Sequence, residues 1–192
     1  MNNDYRAREE QLRQLRPMTR AFRKVTADFF PNPDPATSLM YAVTELGEAL
    51  SAWLREQRPG DVRASKGEAV ADELCDALMM LHGAMAPGDD AAKTRVIEES
   101  VERAIASHLS LQAMLIRLGW QDDVGPIYAR ESAIYLGNLL YDLCAERTAE
   151  IYRARLMYRI HMAADRAGFR AYQTSEVIRQ WTTALATELA SI

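Results

Sequence analysis

Two acidic pairs carry the residue types most able to do chemistry: Glu45 and Glu48 in "TELGEAL", and Glu73 and Asp76 in "ADELCDAL". Members of each pair are three residues apart, so on a helix they share a face. No Lys, Arg or His occurs between Lys24 and Arg55 to neutralise the first pair. Four clustered carboxylates cannot all stay ionised without cations, because like charges in a confined site raise one another's pKa. Either they are splayed into solvent or a divalent cation holds them together. An all-oxygen set suits a hard ion (Mg²⁺, Mn²⁺ or Ca²⁺) rather than zinc. Magnesium held by carboxylates most often accompanies phosphate chemistry.

Helices must position these acids. Leu39, Val43, Leu46, Leu50 and Trp53 recur at helical steps and predict a core stripe. Its centre lies about 150° from the midpoint of Glu45 and Glu48, which share their face with Tyr41, Ala49 and Ala52. The next helix repeats the pattern. Val70, Leu74, Leu78, Leu81 and Met85 form its stripe, with Glu73 and Asp76 opposite among Ala69, Met80, Gly83 and Ala84. The connection from Arg58 to Ser65 is short, so an antiparallel hairpin is expected. Both acidic pairs then lie roughly 11 Å from the turn and meet at one level.

Strand signals are nearly absent, and helix signals run throughout. A basic amphipathic helix is expected over Asp4–Asp28, with a kink at Pro17. Asp34 and Pro35 start the second helix, which ends near Gln57. Ser65 and Glu68 have capping-box spacing and place a third helix from Lys66 to Met85. A fourth is expected over Ala91–Leu118, then a long helical stretch from Pro126 to Ala167, broken in its middle. A last helix is capped by Thr174 or Ser175. The expectation is a single all-α domain, 1–192, with a basic helix in 1–28, the acidic hairpin in 35–86 and further helices in 91–192.

Composition agrees with that class and excludes others. A chain of 192 residues, 48% hydrophobic and 26% charged, can bury a core as a globular domain. No apolar run is long enough to span a bilayer, and "MNNDYRAREE" lacks the apolar stretch of a signal peptide. The cytoplasm is therefore the expected location, without a membrane partner. A net charge of −4 argues against nucleic acid as the main partner. The two cysteines, Cys75 and Cys144, are expected to stay unpaired in a reducing compartment. The arginines of the first helix read as a solvated face. None of His82, His108 and His161 has an acid three positions earlier, so none completes a di-iron Glu-x-x-His motif; structural or surface roles are expected of all three. Trp53, Trp120 and Trp181 read as core or interface aromatics.

"ELGE", 24 intervening residues and "ELCD" resemble the ExxE–ExxD signature of the all-α nucleoside triphosphate pyrophosphatases, the superfamily of MazG-like proteins and dimeric dUTPases. "SLMYAVTELGEAL" and "VADELCDALMMLHGAM" are similar to the metal-binding helices of the MazG-like members. The resemblance covers about Phe30 to Met85. It implies a MazG-like helical bundle with Glu45, Glu48, Glu73 and Asp76 as ligands of Mg²⁺ (or Mn²⁺). It also implies cleavage of the α–β phosphate bond of an NTP or dNTP to NMP and pyrophosphate. Glu45, Glu48 or a metal-bridged water would act as base, and the assembly would be a homodimer or homotetramer. Lys66, Arg155 and Arg159 are candidate triphosphate contacts, with Tyr41 as a substrate neighbour. The chain departs from the pattern in two places. Thr44 stands where many members carry a further glutamate. The segment "IYRARLMYRIHMAADRAGF" matches the later dUTPase helix only in part, with Arg155 in a lysine position. The alternative reading is a non-catalytic helical relative that binds nucleotide or a protein partner.

Overall fold

Asp34 and Pro35 start a helix for the reasons their types suggest. The Asp34 carboxylate accepts the Thr37 N–H at 3.0 Å and the Thr37 hydroxyl at 2.7 Å, satisfying a donor that no helical carbonyl reaches. Pro35 occupies the first turn, where no N–H is needed. In the computed structural model, which describes residues 2–27, 33–56, 68–85, 110, 124–166 and 171–192, this helix is α2, Pro35–Glu56. Before it runs α1, Asn2–Thr26, unbroken through Pro17. After it come α3, Glu68–Ala84, and α4, Gly125–Cys144. A 3₁₀ turn at Ala145–Arg147 leads into α5, Thr148–Arg166, and α6, Ala171–Leu189, follows. The described residues are all-helical and contain no strand. None of their helices is long and apolar enough to cross a membrane. The helix expected over Ala91–Leu118 lies outside the described residues apart from Ser110, as do Ser65, Lys66, His108 and Trp120.

The break expected between Pro126 and Ala167 falls at Ala145, which has a φ of 50°. The Ala145 N–H closes α4 on the Tyr141 carbonyl. Gln11 of α1 accepts the Ala149 N–H at 2.9 Å, so a first-turn donor of α5 is met from another helix. The last helix begins earlier than expected: Thr174 and Ser175 lie inside the first turns of α6 and do not cap it.

Helix α3 sits at the centre and packs against α1, α2, α4 and α5. Val70, Ala71, Leu74, Cys75, Ala77, Leu78, Met79, Leu81 and Ala84 are all buried. A helix apolar nearly all round has to be enclosed, so its acidic side also faces protein. This replaces the single stripe expected of it.

Helix α2 is turned relative to expectation. Its buried residues are Ser38, Leu39, Ala42, Leu46, Ala49 and Ala52, whereas Leu50 and Trp53 are 40% and 45% exposed. The buried face is rotated by roughly 65° toward Glu45. Alanines there let α2 approach α3 closely, and close packing rewards that approach. Gly47 lies on the side of α2 away from that buried face. A Cβ built at Gly47 meets no atom of the described residues within 4 Å. Gly47→Ala is therefore expected to stabilise the chain by about 0.5–1 kcal/mol through helix propensity. Urea unfolding with an unchanged slope is the check, and a lower midpoint would mean that something covers this position.

The N-terminal helix is not simply a solvated basic face. Arg8 pairs with Asp142 at 2.6 Å and lies over the Tyr141 ring. Arg16 is buried, and the Arg23 guanidinium lies against Gly83, where any Cβ would collide with it. Lys24 reaches Glu188 of α6 at 2.6 Å.

Candidate metal centre

The rotation of α2 decides which acids meet. Glu45 stands about 50° from the centre of the buried face and Glu48 about 110° away. Glu45 is accordingly half-buried and Glu48 exposed. On α3, Asp76 is fully buried and Glu73 half-buried. One carboxylate oxygen from each of Glu45, Glu73 and Asp76 lies within 4.8 Å of the others. The level match expected of a hairpin is thus met by three of the four acids, with Glu48 at the rim.

The positive charge missing from the local sequence comes in part from α5. Arg155 Nε donates to both oxygens of Asp76 at 3.1 Å, and its Nη2 donates to Oδ2 at 2.5 Å. Its Nη1 donates to Asp72 at 3.1 Å. Arg159 Nε donates to Asp76 Oδ1 at 2.7 Å, and its Nη2 pairs with Asp76 Oδ2 and with Glu45 at 3.2 Å. Arg155 and Arg159 are one helical turn apart and so share a face of α5. Burial opposes the charge of each guanidinium, but the Asp76 carboxylate outweighs it and raises both above the ordinary arginine value.

Sequence reading did not find this network. Asp72 has one local signal, its place four residues before Asp76 on the same helix face. The pairing with α5 spans 79 positions and has none.

Charge remains to be balanced. Among the described residues, five carboxylates (Glu45, Glu48, Asp72, Glu73 and Asp76) meet two guanidiniums, which leaves three negative charges when all are ionised. Burial first, then Asp76, lifts the Glu73 carboxyl to about 7, against the pull of Arg155. Burial and Asp76 likewise raise Glu45, with Arg159 opposing. Oxygen-only donors, three convergent carboxylates and surplus negative charge fit a hard divalent cation.

Other candidates stand as follows. Tyr41 is exposed on α2, one turn before Glu45. Thr44 turns its hydroxyl back to the Met40 carbonyl at 3.2 Å. Lys66 lies outside the described residues. Both cysteines are free, Cys75 buried and Cys144 half-buried. His161 is exposed, and Trp181 is buried while Trp53 is not.

His82 has a structural place beside the site. Its Nδ1 lies 3.0 Å from the Thr19 hydroxyl and 3.3 Å from the Tyr152 hydroxyl, and these two are 2.6 Å apart. Burial, then the charges of Arg16, Arg23 and Arg20, hold the imidazole down at about 3. The unfolded chain takes up this proton near pH 6.5 and the folded chain does not. His82 thus favours folding above about pH 6.5, and that contribution is lost as pH falls toward 3. The urea midpoint is expected to drop between about pH 7.5 and about pH 5.5, and less steeply in His82→Gln. Equal slopes for the two proteins would remove His82 from this role.

No known protein family, curated protein or solved structure matches the chain. The functional reading therefore rests on the residues, their geometry and the acidic signature that "ELGE" and "ELCD" resemble.

Proposed function

We propose that this chain is a divalent-cation-dependent nucleoside triphosphate pyrophosphohydrolase with a MazG-like all-α bundle. The observation that carries this reading is the convergence of Glu45, Glu73 and Asp76 from two adjacent helices. These three would hold Mg²⁺ or Mn²⁺, with Glu48 beside them at the rim. The bound ion supplies neutralisation of phosphate charge and a bound water of lowered pKa. The chain's own residues do the rest. A carboxylate of Glu45 or Glu48 accepts the proton of the attacking water. The water oxygen bonds to the α-phosphorus as the bond to the bridging oxygen breaks, and pyrophosphate leaves with that oxygen. Tyr41 is exposed beside the acids and is placed to meet the nucleoside.

The half-buried acids on two helices leave one side of the site for another element or a second copy to cover. Exposed Met40, Leu50, Trp53 and Leu54 on α2 support a homodimer or homotetramer as the working form.

A second reading is favoured by one observation: Arg155 and Arg159 already satisfy Asp76. In that reading the acids are structural, and the chain is a non-catalytic helical relative that binds nucleotide or a protein partner. Pyrophosphate release from a panel of NTPs and dNTPs with Mg²⁺ separates the two. The enzyme reading expects release from at least one nucleotide, abolished by EDTA and by Glu45→Gln. No release above that of the variant across the panel would sink it.

A further inference from the structure

Asp76 is saturated with donors. A carboxylate offers about four lone-pair positions, and here Arg155 and Arg159 take both oxygens between them. A cation can take an oxygen of Asp76 only as one of these donors leaves. The two arginines differ in how well they can stay. Arg155 has anchors away from the convergent trio: Asp72 at 3.1 Å, and the Tyr158 ring, whose centroid lies 5.2 Å from the guanidinium carbon. Arg159 is held by Asp76 and by Glu45 at 3.2 Å. Both of those belong to the trio.

We infer that Arg159 is an exchangeable counter-ion, which neutralises Glu45 and Asp76 when no cation is bound and is released when a divalent cation takes their oxygens, while Arg155 stays on Asp72. The inference rests on the metal-centre reading above and adds regulation to it. An arginine freed beside the site is a permanently charged, forked donor suited to phosphate oxygens. Occupancy of the cation site is thereby coupled to affinity for the anionic substrate. The empty site keeps its own phosphate ligand engaged.

The test is Mn²⁺ binding by the 192-residue chain, followed by the paramagnetic signal of the free ion and by calorimetry. Arg159→Met removes the competitor and should bind Mn²⁺ about tenfold more tightly than wild type. Arg155→Met should change the affinity less, and Arg159→Lys should fall between wild type and Arg159→Met. In EDTA, Arg159→Met should unfold at a lower temperature than wild type, and Mn²⁺ should close that gap. If wild type binds Mn²⁺ but Arg159→Met binds no more tightly, or Arg155→Met gains as much, the exchange is overturned and the metal site stands. If wild type shows no Mn²⁺ binding that Asp76→Asn weakens, the metal reading fails and the inference falls with it.

Discussion

Asp76→Ala is expected to lower folding stability by about 3 kcal/mol in EDTA, with no metal contributing. The Asp76 side chain is 1% exposed, and the arginine side chains around it are 15% and 13% exposed. Removing one partner of a buried ion pair typically costs about 3–5 kcal/mol, because the remaining charge stays desolvated without compensation. Arg155 keeps Asp72 and Arg159 keeps Glu45, which places this loss at the low end. Asp76→Asn preserves the shape and one acceptor, so about 1–2 kcal/mol is expected for it. Asp76→Ala combined with Arg159→Met should be less destabilising than the sum of the single changes by about 1 kcal/mol or more, since both remove the same contact. Urea unfolding of wild type, Asp76→Ala, Asp76→Asn, Arg159→Met and the double variant measures all of these terms. A loss below about 1 kcal/mol for Asp76→Ala would put the pair in the class of solvent-screened surface bridges.

Periodicity and turn chemistry made much of the helical architecture legible. Asp34-Pro35 marked the start of α2, and the expected break after Pro126 falls at Ala145. The acids were legible for a different reason: paired carboxylates on a face of small residues are electrostatically expensive unless something answers them. What answers them was not legible. Arg155 and Arg159 are far away in sequence, and a lone arginine on a helix looks the same whether it meets solvent or a buried aspartate. The rotation of α2 was misread because periodicity sends the largest apolar residues inward. Here the enclosed position of α3 favours close approach by Ala42, Ala49 and Ala52 instead, and leaves Leu50 and Trp53 outside. That rotation brings Glu45 into the site and leaves Glu48 at its edge. The basic residues of α1 were misread for a related reason. A run of basic residues looks solvated until the partners on α4 and α6, Asp142 and Glu188, come into range.

Glu73→Gln is expected to move stability and activity in opposite directions, unlike Asp76→Ala. Among the described residues Glu73 accepts no hydrogen bond from either arginine, and burial together with Asp76 lifts its carboxyl to about 7. The folded chain therefore disfavours ionised Glu73. This penalty is absent below the ordinary value of 4.5, grows as pH rises, and is complete above about 7. Glutamine is neutral throughout, so in EDTA the variant should unfold at a higher temperature than wild type above about pH 7. Near pH 4.5 the two should coincide, because wild-type Glu73 is then protonated in the folded chain. On the proposed metal-dependent reading, binding and activity move the other way. The amide gives a weaker oxygen donor and removes one of three convergent charges, so Mn²⁺ affinity should fall at least about tenfold and pyrophosphate release by about a hundredfold. A variant that is stabilised in EDTA yet keeps full activity would take Glu73 out of the ligand set. One that is destabilised in EDTA would show that Glu73 is held by a partner favouring its charge, and the surplus negative charge assigned to the site would be wrong. On the proposed reading, a site that waits for a cation costs the cation-free fold something, and Glu73 is where that cost should be measurable.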